Sequence, residues 1–163
     1  MSDTATIARK QTMDQPTFVL TMPPGDRQNK FLTFTLAGEA YGIAAAQVRG
    51  ISGMLPLTEL PHTPEFVRGV AKLGDRTIVV LDLGLKLGLA AQPPTAQTCI
   101  VVVEVNGVEV GVIVDKVSEV ITAAAPDIEQ APPLAAGADF VLGLARAGAQ
   151  AYLLLDINRV LVN

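Results

Sequence analysis

The sequence predicts a mostly β protein folded as two small barrels, and three observations carry that expectation. The first is an internal echo: residues 31 to 51 laid on 100 to 120 without a gap set Gly38 on Gly107, Gly42 on Gly111 and Val48 on Val117. The second is a matching pair of blocks, TIVVLDLGLKLGL (77 to 89) and AYLLLDINRVLVN (151 to 163), in which Leu81, Asp82 and Leu87 fall on Leu155, Asp156 and Leu161. The third is the shortness of the apolar runs, each cut by Gly, Pro or a charge. Each copy supplies about five short strands, and closing such a set removes the exposed edges of an open sheet.

In chain order, residues 1 to 29 are polar, end in PPGDRQNK, and read as a flexible tail in which FVLTM is a candidate strand or docking peptide. From Phe31 the period is two: Leu32, Phe34 and Leu36 point one way and Thr33 and Thr35 the other. Pro61, Pro64, Gly69 and Gly74-Asp75 then punctuate a bend, a single helical turn at PEFV, and two strands joined by a tight turn. Asp82 and Asp156 each close a strand and precede short helical spacing, so each carboxylate is placed to cap a helix. In IVVVEVNGVEVGVIV, Asn106-Gly107 supplies the two φ > 0 residues of a type I′ hairpin, which sets Val105 opposite Val108 and Glu104 opposite Glu109. Two facing glutamates repel, so that pair is expected in solvent unless a basic partner meets it. The Pro/Ala-rich stretches AAQPPTAQ and AAAPDIEQAPPLAAGAD are connectors, the first of them at the seam between the copies, near residues 90 to 97.

The inventory of reactive groups is thin. A chain of 163 residues with net charge -4 and no Lys/Arg cluster lacks the basic surface that holds nucleic acid. No apolar run approaches the roughly 20 residues of a membrane-spanning helix, and the start lacks a secretory signal, so a cytoplasmic location is expected. Cys99, the sole cysteine, sits in the apolar run CIVVV as a buried thiol. His62, the sole histidine, lies between two prolines as a loop residue. Neither a Ser-His-Asp arrangement, nor converging metal ligands, nor a phosphate-cradling glycine motif can be assembled, so no cofactor, metal or catalytic residue is assigned. Two barrels side by side leave a groove, and grooves of that kind accept partner helices or strands.

The order of motifs resembles the CheW-like domain family, the scaffolding adaptors that link chemoreceptors to the histidine kinase CheA in bacterial chemotaxis arrays. The resemblance runs through FLTFTLAGEAYGI, Val48-Arg49-Gly50-Ile51, LPHTPEFVRGV, TIVVLDLGLKLGL, VVEVNGVEVGVIVDKVSEV and YLLLDINRVL, from about residue 30 to 163. It implies two intertwined five-stranded SH3-like β-barrels with one or two short helices around a shared apolar seam. The expected division is a flexible tail over 1–29 and one CheW-like domain over 30–163, its first barrel drawn mainly from about 30–95 and its second mainly from about 96–163. It also implies a noncatalytic coupling role, with receptor contacts at Val48, Arg49, Ile51 and Leu73 and kinase contacts at Gly69, Lys72, Asp75 and Arg76. Implied partners are the CheA regulatory domain, the cytoplasmic tip of chemoreceptors and other CheW-like subunits, with attachment to membrane-bound arrays through protein contacts alone.

Two positions depart from the family pattern. Where members carry an acid in V-x-E-I, this chain has Gly50, and where they read N-L-R-G it has Lys72-Leu73-Gly74-Asp75. Losing such an interfacial charge costs roughly 2 kcal/mol, about thirtyfold in affinity. Arg49 and Arg76 are the neighbouring charges that could stand in. The departures motivate a second reading, an antagonist or peripheral array subunit that binds only one of the two partners. A small-ligand carrier using the groove and a fragment of a larger kinase or receiver fusion are the remaining alternatives.

Overall fold

The structure, a computed structural model, describes residues 7–11, 16–20, 29–90, 93–123, 128–129, 141–147 and 149–162. An N-terminal hairpin, β1 (Ile7–Gln11) and β2 (Pro16–Leu20), precedes β3 (Lys30–Leu36), β4 (Glu39–Ala44) and β5 (Val48–Gly53). Next come β6 (Val67–Leu73), β7 (Arg76–Asp82) and the one-turn helix α1 (Leu83–Lys86). The second half repeats the series as β8 (Cys99–Val105), β9 (Val108–Val114), β10 (Lys116–Thr122), the two-residue β11 (Ile128–Glu129), β12 (Val141–Ala147), β13 (Gln150–Leu155) and α2 (Ile157–Val162).

Local chemistry accounts for the joints. Asn106 and Gly107 take φ of 52° and 80° between β8 and β9, and Ala37 and Gly38 take 50° and 82° between β3 and β4, so both hairpins turn with two positive φ values as type I′ turns do. Alanine is a poor residue for that conformation; here its amide donates to Asp115 Oδ2 at 2.8 Å, which holds the turn. Asp82 Oδ1 accepts from the Leu85 amide at 3.1 Å, and Asp156 Oδ1 from the Asn158 amide at 3.1 Å, so both aspartates cap helices as their spacing predicts.

Sheet A runs β1-β2-β5-β8-β9-β7-β6 and sheet B runs β10-β3-β4-β13-β12-β11. The two sheets are therefore intertwined, as the family resemblance implies. Hairpin β3–β4 leaves the first copy to pair with β10 and β13, while β8–β9 leaves the second to pair with β5 and β7. Each five-stranded barrel is thus a hairpin from one copy on three strands of the other. The registers repeat with the echo: parallel β7–β9 sets Val79 beside Val110, and parallel β13–β4 sets Leu153 beside Tyr41. Bulges recur too, after Val48 in β5 and after Val117 in β10.

The exchange has a physical cause in β3 and β8. Leu32, Phe34 and Leu36 join Val101, Val103 and Val105 in the core between the sheets, while Phe31, Ile100 and Val102 fill barrel interiors. A strand apolar on both faces must lie between two packed layers. Thr33, expected on the outer face of β3, is likewise enclosed; its hydroxyl donates to the Glu119 carbonyl at 2.7 Å and accepts from the Glu119 amide at 3.0 Å.

Within the N-terminal stretch, part of the candidate strand FVLTM is present at the residues described there. Phe18, Val19 and Leu20 of FVLTM belong to β2, which pairs with the outer edge of β5. An unpaired edge offers a row of free amides and carbonyls, and β2 meets part of that row. Most of the second Pro/Ala-rich connector lies outside the described residues, as do residues 1–6, 12–15 and 21–28.

Barrel A closes where the chain beyond β5 returns to β6: Thr58 and Val70 exchange two backbone hydrogen bonds, each 2.9 Å. The equivalent tie in sheet B sets Glu129 of β11 against Leu144. Gly69 permits the first. It has φ of 135°, and a Cβ there would lie 2.8 Å from the Thr58 carbonyl carbon and closer still to its oxygen. Gly69→Ala is expected to destabilise the protein by about 3 kcal/mol in urea unfolding, because backbone has to move to admit one methyl group. An unchanged midpoint would show that the closure is not held as described.

Candidate partner-binding surface

Of the residues assigned to partners, the exposed ones, Arg49, Lys72, Asp75 and Arg76, lie at one end of barrel A. Arg49, at the β5 bulge, donates from Nε to Glu104 Oε1 at 3.0 Å and from Nη1 to the Ala46 carbonyl at 2.8 Å. Glu104 faces Glu109 across β8–β9, in the register the Asn-Gly turn predicts. Glu109 in turn receives Arg76 Nη1 from β7. The rim is therefore a row, Arg49, Glu104, Glu109, Arg76, crossing four strands with two facing glutamates flanked by an arginine on each side. The glutamate pair takes basic partners rather than free solvent, because β5 and β7 each deliver an arginine beside it. Gln47 reinforces the corner, donating from Nε2 to Asn158 Oδ1 at 2.8 Å and to the Glu104 carbonyl at 3.3 Å. Each bridge is largely solvated and contributes under about 1 kcal/mol, so the row is a patterned surface more than a source of stability.

The predicted contact residues fall into two groups. Val48 and Ile51 are 1% and 2% exposed and sit in the core between the sheets, so their side chains position β5 and present nothing to a partner. Gly69 is enclosed at the barrel closure, and Leu73 is half-buried against the barrel A interior. Arg49, Lys72, Asp75 and Arg76 are the exposed members. Gly74 has φ of 65° at the first of two turn positions, as a type II′ hairpin requires, so the β6–β7 turn projects only the Asp75 side chain. Gly50 is half-buried, yet a Cβ added there meets nothing within 4 Å. Space for an acidic side chain therefore remains on β5. Sequence reasoning missed Glu104 and Glu109 as members of this surface, although their forced pairing was the available signal.

Among the described residues, the chemistry elsewhere is sparse. A cleft of about 60 Å³ lies between the barrels, lined in part by Leu36, Met54, Arg68, Asp82 and Asp115. Small-molecule pockets run to about 300–1,000 Å³, so this cleft gives the ligand-carrier reading little room. Two of its carboxylates are committed, Asp82 to capping α1 and Asp115 to the Ala37 amide. Among the described residues no group of three or more His, Cys, Asp or Glu could hold a metal ion, and no helix is long and apolar enough to cross a membrane. His62 is exposed in a turn with φ of 59°.

With this geometry in view, comparison with known proteins is specific. Residues 30–163 match the model of the CheW-like domain family. The chain belongs to that family. It is 32% identical over 134 residues to the chemotaxis protein CheW of Klebsiella aerogenes, covering 81% of each chain. It is also 32% identical over 117 residues to the chemotaxis protein CheW of Rhizobium meliloti, covering 72% of this chain and 74% of the relative. The crystal structure of the scaffolding protein TtCheW from Thermoanaerobacter tengcongensis superposes with a TM-score of 0.76 at 31% identity, over 81% of this chain and 91% of that one. Membership places the chain among chemotaxis scaffold proteins, and the hairpin exchange described above is its CheW-like architecture.

Cys99 provides a chemical check on the seam. It is buried, and that burial pushes its thiol from 9.0 up to about 11, partly offset by a backbone hydrogen bond from Val117. Folding thus holds the neutral thiol, and the unfolded chain ionises first. The stabilising contribution is complete below about pH 9 and is lost as pH rises toward 11. Tyr41 and Tyr152 are raised as well, chiefly by burial and then by Glu39 and Glu119 respectively, and act in the same direction at higher pH. Urea midpoints are expected to fall between about pH 9 and 11, with Cys99→Ala showing a shallower fall. Equal slopes for the two proteins would contradict a buried thiol at the seam.

Proposed function

We propose that the chain is a noncatalytic adaptor coupling chemoreceptor tips to the histidine kinase CheA in a chemosensory array, held at the membrane by protein contacts alone. The observation that carries this reading is the gathering of the exposed partner-directed residues on one end of barrel A, in a chain that matches the family from residue 30 to 163. Arg49 with Glu104 forms the receptor-facing part of the rim, on the strand that Val48 and Ile51 anchor. Lys72, Asp75 and Arg76 form the kinase-facing part, on the hairpin that Gly69 ties to the barrel. Leu73 seats that hairpin on the interior. Further CheW-like subunits are the remaining partners, and the chain works from the cytoplasm without cofactor or nucleic acid.

A second reading keeps the fold and makes the chain an antagonist or peripheral subunit that binds one partner only. Gly50 and Gly74 favour it, since each stands where the family pattern has a charge. Arg49 and Arg76 do not supply free replacements: both are already paired along the glutamate row. Reconstituted arrays separate the two readings. Addition of the protein to receptor tips and CheA raises kinase activity if it couples them and lowers it if it antagonises. Retention of neither partner in a pull-down would overturn both.

Gly50 offers a sharper test. Because open space surrounds its missing Cβ, Gly50→Glu is expected to fold with a stability change within about 0.5 kcal/mol. If the missing acid is what separates this chain from standard partners, the substitution raises affinity for a standard receptor tip about thirtyfold in a binding titration. An affinity that stays the same shows that the departure at Gly50 has no bearing on partner choice.

A further inference from the structure

Strand β5 has a neighbour on each side, and only one belongs to the barrel. On the inner side lies β8. On the outer side lies β2, which comes from a segment preceding the family-matched residues 30–163. Thr17 faces Ser52 and Phe18 faces Ile51, while β1 backs β2 from Ile7 opposite Leu20 to Gln11 opposite Pro16. The hairpin therefore completes itself over five residue pairs and touches the barrel over two. That asymmetry is informative. A hairpin held mainly by its own ladder can leave the edge without losing its internal bonds, and the edge then exposes only a short row of backbone groups.

The place it covers is the outer edge of the strand bearing Arg49 and Gly50. Neither side chain of the anchoring pair Val48 and Ile51 reaches solvent, so a partner that uses β5 must approach by this edge or by the Arg49 rim beside it. We propose that strands β1 and β2, residues 7–11 and 16–20, form an intramolecular cap on the β5 edge, which a receptor tip displaces in order to engage this strand. The proposal rests on the reading of β5 as receptor-facing. Its consequence is quantitative: the apparent dissociation constant equals the intrinsic one divided by the uncapped fraction, so a cap closed about nine-tenths of the time weakens binding about tenfold.

The test uses the full chain with Thr17→Pro/Phe18→Pro. Successive residues of an antiparallel strand aim their amides to opposite sides, so this pair removes one donor toward β5 and one toward β1. A second variant, Thr17→Cys/Ser52→Cys, locks the cap through a disulfide, since directly opposed residues lie within the span such a bond bridges. Hydrogen exchange at the Ile51 and Ser52 amides reports the cap itself, and titration with a soluble helical-hairpin fragment of a chemoreceptor tip reports competition. The expected result is lost protection at one of the two amides in the proline variant, about tenfold tighter receptor binding, and weaker binding by the oxidised lock that reduction restores. Unchanged exchange in the proline variant overturns the cap. Changed exchange with receptor binding altered less than about twofold in both variants overturns the competition. Changed exchange with no receptor binding by any form of the protein overturns the receptor-facing reading of β5, and the competition with it, while leaving the cap as a measured contact.

Discussion

The apolar seam between the two sheets is the constraint from which the rest of the molecule follows. Among the described residues, seventeen buried ones belong to it, against seven inside barrel A and six inside barrel B. Neither barrel holds an interior large enough to stand well alone, as expected where so little apolar surface is enclosed. The seam is built from strands of both copies, with Leu32, Phe34 and Ile43 from one and Val101, Val103 and Val112 from the other. Exchanging the hairpins places those strands back to back, and α2 covers one end through Ile157 and Val160. A chain that kept each copy to itself would leave β3 and β8 with one apolar face in water.

Polar groups caught in this arrangement are satisfied locally, which is what lets the bulges survive. The β10 bulge frees the amide and carbonyl of Glu119, and the Thr33 hydroxyl takes both. Tyr152 donates to Glu119 Oε2 at 3.0 Å from inside barrel B. Ser52, buried on β5, donates to the Gly53 carbonyl at 2.9 Å. Among the described residues no buried side-chain nitrogen or oxygen lacks a partner. Since each such omission costs about 1–3 kcal/mol, the core tolerates threonine and serine only because these bonds are present. The β5 bulge falls at Arg49, between buried Val48 and half-buried Gly50, so the irregularity in the ladder coincides with the first charge of the rim.

Much of this was legible in the sequence, and the misses share a cause. Hairpin register at Asn106-Gly107, helix caps at Asp82 and Asp156, and the burial of Cys99 are local consequences of residue type, and all follow from a few neighbouring residues. The twofold echo correctly implied two equivalent sheets. It could not say which hairpin joined which sheet, because repeated units exchanged or kept apart have identical local patterns. Only the double-sided burial of FLTFTL and CIVVVEV distinguishes them, and the threonines of the first disguise it. FVLTM was readable as a candidate strand, but its contact with the β5 edge was not, because that edge lies far along the chain. Val48 and Ile51 read as contact residues by family position, whereas their apolar character is spent on the seam.

The most direct test of the shared seam is native-state hydrogen exchange resolved by residue across β3, β4, β8 and β9. If the exchanged hairpins lock the barrels into one core, the slowest amides of all four strands open with a single free energy, equal to that of global unfolding. Two separate free energies, one for β3–β4 with sheet B and another for β8–β9 with sheet A, would mean that the barrels unfold independently and that the seam does not hold the molecule together.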